Sequence, residues 1–206
     1  MITIKTEKEI ELMREPCAIV RDTLAYVGSK IRPGVTTKEL DEYAEDYIRS
    51  RGAIPSELGY CGYPASICAS VNEVVVHKKK LVRVTEECFY KGIENLRAGT
   101  PLYDIGARIQ RHAESNGFSV VRALVGHGIG REMHEDPSVP NFGKFGTGIR
   151  LKAGMTICIE PMINMGRYEV ETLGDGWTVR TRDGKPAAHY ENTVLIREDG
   201  VEILTI

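Results

Sequence analysis

Two histidines stand seven residues apart in Gly126-His127-Gly128-Ile129-Gly130-Arg131-Glu132-Met133-His134-Glu135-Asp136-Pro137, among glycines that let backbone approach a bound group closely. Taken alone, such a stretch also fits a glycine-rich turn with two solvated histidines. Two acidic residues further on change the weighting. Glu160 lies in the apolar run Ile157-Cys158-Ile159-Glu160-Pro161-Met162, where a carboxylate is costly to bury unless it is paired or bound to a cation. Glu191 lies in His189-Tyr190-Glu191-Asn192-Thr193. One imidazole, His127, with the carboxylates Glu160 and Glu191 suits Mn, Fe(II), Co or Zn, with a position left open for water. A salt-bridged core glutamate is the competing reading. His77 and His134 are then non-ligand histidines, able to donate a hydrogen bond to a substrate carbonyl or to shuttle a proton. Tyr60, Tyr63, Cys68, Met133 and Trp177 offer the lining of a small apolar pocket, although the same residue types also serve as plain core. There is no GxxxxGK phosphate loop, no GxSxG elbow and no paired CxxC.

These side chains need positioning elements. Thr6 with Glu9 is a capping-box signature, and Ile10, Met13, Cys17, Val20, Leu24, Val27 and Ile31 recur at helical spacing. This predicts a long amphipathic helix with Pro16 as a kink and the apolar stripe as core. Arg32-Pro33-Gly34 breaks it. Thr36 with Glu39 starts a second helix, with Leu40, Tyr43, Ala44, Tyr47 and Ile48 on its buried face and Gly52 as its stop. Turns and strands at 66–71 and 74–77 follow, then a helix from Val84 to Leu96. Arg97-Ala98-Gly99-Thr100-Pro101 is a second break, with Thr100 as N-cap and Pro101 at the first helical position. Leu102, Ile105 and Ile109 then mark a helix ending at Gly117. Strands are expected at 119–126, 155–160, 167–172, 177–182, 188–197 and 201–205, with a glycine-rich loop at 141–148.

Arg32, Gly34, Leu40, Ser50 and Gly52 align at a constant offset of 65 with Arg97, Gly99, Ile105, Ser115 and Gly117. The spacing reads as a helix–break–helix–strands unit present twice in one domain, residues 1–206. The copies are unequal: residues 7–83 give 77 residues and residues 84–206 give 123, so the first is shorter by 46.

A chain of 206 residues, 42% hydrophobic and 27% charged, has an ordinary globular composition. Its formal net charge of −2 gives no electrostatic footprint for nucleic acid or anionic membrane. The polar start, without a basic-then-apolar leader or a membrane-length apolar run, makes the cytoplasm the expected location. Five cysteines without paired short spacing fit reduced thiols.

The stretches Gly59-Tyr60-Cys61-Gly62-Tyr63-Pro64, Val71-Asn72-Glu73-Val74-Val75-Val76-His77, Gly126-His127-Gly128-Ile129-Gly130, His134-Glu135-Asp136-Pro137, Ile159-Glu160-Pro161-Met162, Asp175-Gly176-Trp177-Thr178-Val179 and Tyr190-Glu191-Asn192-Thr193 occur together. In these motifs the chain resembles the type I methionine aminopeptidases over nearly its whole length. The resemblance implies an α+β pita-bread fold, a duplicated helix–helix–strand unit around a curved antiparallel sheet, here with its first repeat truncated. It also implies removal of N-terminal methionine from nascent polypeptides with a divalent metal.

By that resemblance His127, Glu160 and Glu191 are three of five metal ligands, with Glu191 bridging. His77 and His134 match two substrate-contacting histidines, and Tyr60, Tyr63, Cys68 and Trp177 match a methionine pocket in which Met133 replaces an aromatic. The two remaining ligands of the family are aspartates on a strand pair following the His77 segment. That piece is absent between His77 and Leu81, and Asn192 stands where a histidine is usual. The expectation is therefore a site holding at most one ion well. An open sheet edge would invite a homo-oligomer. Expected partners are N-terminal methionine peptides and the ribosome, with no nucleic-acid sequence and no membrane. The alternative is a non-catalytic pita-bread protein that binds peptide N-termini or the ribosome.

Overall fold

The computed structural model describes residues 2–69 and 76–206, with side chains in the second span from residue 79 onward. Four α-helices, α1 (Glu7–Lys30), α2 (Thr37–Ser50), α3 (Val76–Ile93) and α4 (Tyr103–Ser115), precede ten short strands. The strands are β1 (Ser119–Val120), β2 (Gly126–Gly128), β3 (Glu135–Val139), β4 (Thr156–Ile159), β5 (Met162–Asn164), β6 (Val170–Thr172), β7 (Val179–Thr181), β8 (Ala187–His189), β9 (Asn192–Ile196) and β10 (Val201–Ile203).

The two capping boxes form as the sequence dictates. Thr6 accepts from the Glu9 amide while Glu9 reaches back to the Thr6 amide, and Thr36 and Glu39 repeat the arrangement. α1 runs without interruption through Pro16. Its apolar stripe is only partly core: Ile10 and Cys17 are buried, but Val20, Leu24 and Ile31 are exposed. On α2, only Ala44 is buried. α1 packs on α2 and, through Ile10 and Cys17, on Leu195 and Leu204, while α3 and α4 pack on each other and on the sheets.

The second helix pair starts differently from expectation. α3 begins at Val76, eight residues before Val84, so positions 76 and 77 are helical rather than extended. Residues 66–69 form bends and irregular chain instead of a strand, and residues 70–75 lie outside the described residues. α4 begins at Tyr103, not Pro101, and Leu102 is its N-cap without a side-chain cap. The reason is a competing pairing: Pro101 bridges to Arg150, and the Leu102 amide donates to the Ile149 carbonyl at 2.8 Å. The amides ahead of α4 are thus held by a neighbouring extended segment. Gly34 and Gly99, and likewise Gly52 and Gly117, adopt matching positive φ values at the two breaks and the two helix ends.

The strands form antiparallel sheets in the orders β10-β9-β4-β2-β3, β1-β5-β8 and β6-β7. Every residue of β4 and β9 is buried. The larger core joins Phe89, Ile105 and Ile109 of α3 and α4 to Ile157, Ile159, Ile163, Val194 and Ile196 of the sheets. The first two sheets are one ladder bent in the middle. β4 pairs with β9 through Ile159 and Asn192, β5 pairs with β8 through Met162 and His189, and the Tyr190 amide donates to the Pro161 carbonyl between them. The register is continuous across the bend, which gives the curved sheet of the pita-bread fold.

β3 was not anticipated. It contains Pro137, which demotes a central strand, but β3 sits at the edge of its sheet, where a missing N–H is tolerated. No helix among the described residues is long and apolar enough to cross a membrane.

Candidate metal centre

Continuity of register decides which side chains meet at the bend. With Ile159 opposite Asn192 and Met162 opposite His189, Glu160 lies opposite Glu191. Alternation along a strand puts Cys158 and Glu160 on one face, and His189, Glu191 and Thr193 on the facing side of the partner. β2 then places His127 directly opposite Cys158. The result is a cluster of donors drawn from three strands of the curved sheet.

The glycines around His127 serve that placement. A Cβ at Gly126 would strike the Cys158 carbonyl oxygen, and one at Gly128 would strike the Asp136 carbonyl. Both positions are glycine because β2 is squeezed between β3 and β4, so the stretch is strand rather than flexible loop. His127 Nδ1 lies 2.8 Å from the Gly128 carbonyl oxygen. An N–H at Nδ1 would donate there and leave Nε2 with a free lone pair, the tautomer a metal ligand needs.

His127 Nε2 stands 3.6 Å from Glu160 Oε1, and His189 Nε2 stands 3.5 Å from Glu160 Oε2 and 3.8 Å from Glu191 Oε2. The donor atoms of Glu160, His189 and Glu191 all lie within 4.8 Å of one another, as do those of His127, Cys158 and Glu191. A charge-assisted imidazole–carboxylate hydrogen bond would be about 2.8 Å. Ligand atoms about 2.1 Å from a tetrahedral ion stand about 3.4 Å apart. The observed spacing therefore fits the edges of a cation's coordination sphere better than a set of ion pairs.

The carboxylates perturb one another and the imidazole beside them. Burial and the nearby Glu160 push the Glu191 carboxyl above the usual range. Burial alone would lower the His189 imidazole, but Glu160 and Glu191 outweigh it and raise it. Burial pushes the Cys158 thiol up, and Glu191 adds to the shift. The thiol is buried, and its Sγ lies 3.6 Å from the Thr193 hydroxyl.

His134 sits beside this cluster, its ring 4.2 Å from that of His127. Its Nδ1 lies 2.9 Å from the Tyr60 hydroxyl. Burial and then His127 lower its basicity, which keeps the ring neutral near pH 7. A cleft of about 590 Å³ is lined by His127, His134, Glu135 and Asp136.

Of the five expected pocket residues, Tyr60 meets His134, and Tyr63 and Trp177 meet edge-on at 5.3 Å. The Cys68 thiol faces the Tyr63 hydroxyl, whose pKa is pushed up to about 12 by burial and then by Cys68. Met133 is half-buried beside His134. The His77 side chain lies outside the described residues.

A buried ion pair supports the loop that carries His134. Lys5 Nζ donates to Glu135 Oε2 at 2.6 Å, with side chains only 5% and 12% exposed. Glu135 Oε1 accepts from the Arg131 and Glu132 amides, closing the turn before His134. Burial pushes the Glu135 carboxyl up, but Lys5 and the two amides outweigh it and hold it below the usual range. A lowered folded value means that this contribution is complete above the unfolded value of about 4.3. It is lost as pH falls through the folded value. Lys5→Met strands the carboxylate, and we expect it to cost about 3 kcal/mol near pH 7 in urea unfolding. The gap between wild type and variant should shrink below about pH 4; a constant gap would show that the pair is not its source.

A model of metallopeptidase family M24 matches residues 11–80 and 77–198, two pieces that overlap at residues 77–80. Prolidase from Pyrococcus furiosus, 20% identical with a TM-score of 0.71, shares the fold. A methionine aminopeptidase of Clostridium perfringens is 48% identical, with 100% of this chain and 99% of that protein covered. Methionine aminopeptidase 1 of Bacillus subtilis is 42% identical over 100% of this chain and 99% of its own. The crystal structure of methionine aminopeptidase from Rickettsia prowazekii superposes with a TM-score of 0.96 at 37% identity, covering 100% of both chains. The chain belongs to the methionine aminopeptidases of metallopeptidase family M24. The alignment to the Clostridium protein runs over 247 positions; against 206 residues this leaves 41 positions without a counterpart here.

His189 was not singled out from the sequence. Period-two alternation counted back from Glu191 would have found it, since residues two apart on a strand share a face.

Proposed function

We propose that His127, Glu160 and Glu191 hold one divalent ion, Mn, Fe, Co or Zn, and that the chain uses it to remove N-terminal methionine from peptides. The observation that carries this reading is the 3.6 Å between His127 Nε2 and Glu160 Oε1, beside two donor sets that share Glu191, His127–Cys158–Glu191 and Glu160–His189–Glu191, each within 4.8 Å. Such an ion supplies a Lewis acid to polarise the scissile carbonyl and to acidify water.

The chain's own residues do the rest. With the Tyr60 hydroxyl donating to Nδ1, His134 carries its proton on Nε2 and offers it to the substrate carbonyl. His77 is the second substrate-contacting histidine. Tyr60, Tyr63, Cys68, Met133 and Trp177 receive the methionine side chain, an unbranched thioether that packs well on aromatic edges. The curved sheet holds the donors on rigid strands. The substrates are nascent chains in the cytoplasm at the ribosome, and one domain of two unequal repeats, about 1–83 and 84–206, forms the whole site. Self-association through an open sheet edge is tested by sedimentation velocity.

The decisive experiment reconstitutes the metal-free protein with each cation and measures methionine released from Met-Ala-Ser. One equivalent of metal per chain and release abolished by a chelator are expected. Methionine-peptide binding without release, in protein carrying a full equivalent of metal, would make the chain a binding protein instead.

A further inference from the structure

The donors at the bend include an imidazole to which the family resemblance gives no role. His189 projects from the end of β8, whose pairing with Met162 fixes its backbone. Its side chain is 48% exposed, so it is not held there as core. Glu160 presents Oε1 to His127 at 3.6 Å and Oε2 to His189 at 3.5 Å, so the carboxylate lies between the two rings. His189 also approaches Glu191 at 3.8 Å. None of the three separations is a normal hydrogen bond, and all are close to the edge of a small cation's coordination sphere.

We propose that His189 is a metal ligand of this chain: its donor atom already lies within 4.8 Å of those of Glu160 and Glu191, and a two-imidazole, two-carboxylate site for a single first-row divalent cation forms once the His127 ring closes on that set. The assignment rests on the metal-centre reading above. On this assignment an imidazole from β8 takes a coordination position that the family resemblance would give to an aspartate this chain lacks. The substitution has a chemical consequence. Two carboxylates neutralise a divalent ion, and two imidazoles favour Zn, Co or Fe(II) over the oxygen-preferring Mn.

The competing role for His189 is that of a positive charge balancing Glu160 and Glu191. The two roles predict opposite signs. If His189 is a ligand, removing it weakens cation binding. If it is a counter-charge that a cation must displace, removing it leaves binding unchanged or tightens it. The experiment titrates the metal-free full chain with Zn²⁺ and Co²⁺ by calorimetry, as wild type and as His189→Gln, and counts imidazoles around bound Zn²⁺ by X-ray absorption.

Wild type should bind one ion with two imidazoles. His189→Gln should bind at least about 10-fold more weakly, with one imidazole. Unchanged or tighter binding in the variant, or a single imidazole on wild-type zinc, would overturn the assignment of His189 while leaving the metal centre standing. Absence of any bound ion in wild type would overturn both. If the variant does not fold by circular dichroism, the imidazole count on wild-type zinc decides alone.

Discussion

Glu160→Gln is expected to abolish stoichiometric cation binding and to lower methionine release by more than about 100-fold, while making the metal-free protein more stable. The loss of function follows from position. Glu160 is the one carboxylate whose two oxygens face both imidazoles, so neutralising it removes the donor that links the two sides of the site. The amide retains the shape of the side chain. The main chain is held independently, because Asn141 Nδ2 donates to the Glu160 carbonyl at 2.9 Å.

The gain in stability follows from linkage. Burial first, and Glu160 second, hold Glu191 above its usual range. The folded chain then binds more protons than the unfolded chain in that window, so stability falls as pH rises through it. Removing the Glu160 charge relieves part of this penalty. Thermal unfolding of metal-free wild type and variant at neutral pH measures it, with a higher midpoint expected for the variant. A lower midpoint, or full metal occupancy in the variant, would refute this account of the site.

Opposed signs of that kind are what carboxylates arranged for a ligand, at some cost to the metal-free fold, would produce. That cost was partly visible in the sequence. A glutamate in Ile157-Cys158-Ile159-Glu160 breaks an otherwise apolar strand, and such a residue demands a partner. Which residues would be its partners depended on strand register, a non-local property. The continuous ladder that sets Glu160 against Glu191 and His189 beside them needed the pairing of β4 with β9 and of β5 with β8.

Helix starts were legible where the signal was local. The capping boxes at Thr6 and Thr36 form because donor and acceptor are three residues apart in sequence. Thr100-Pro101 carried an equally good local signal, yet pairing with residues near Arg150 overrode it. The stripe on α1 failed for another reason. Periodicity predicts which face of a helix is apolar, not whether anything covers it, and Leu24 and Ile31 remain exposed at 65% and 66%. Among the described residues the buried part of the stripe, Ile10 and Cys17, packs on Leu195 and Leu204.

His134→Ala is expected to lower kcat by about 10²–10⁴ while leaving cation affinity unchanged. The residue lies next to the donor cluster, its ring 4.2 Å from His127 and its Nδ1 on the Tyr60 hydroxyl. Burial, then His127, hold it below the usual imidazole range, which favours the neutral ring near pH 7. A neutral ring donates from one nitrogen only. If the Tyr60 hydroxyl donates to Nδ1, Nε2 must carry the proton, and it is available to a carbonyl oxygen whose charge grows in the transition state. Tyr60→Phe removes the group that sets this tautomer but leaves the ring, so its loss should be smaller, about 10-fold or less in kcat, and should vanish in the His134→Ala background. Additive losses in the double variant would assign Tyr60 an independent contact with substrate. An unchanged kcat in His134→Ala would remove the histidine from the reaction and leave it as support for the loop that Lys5 and Glu135 hold in place.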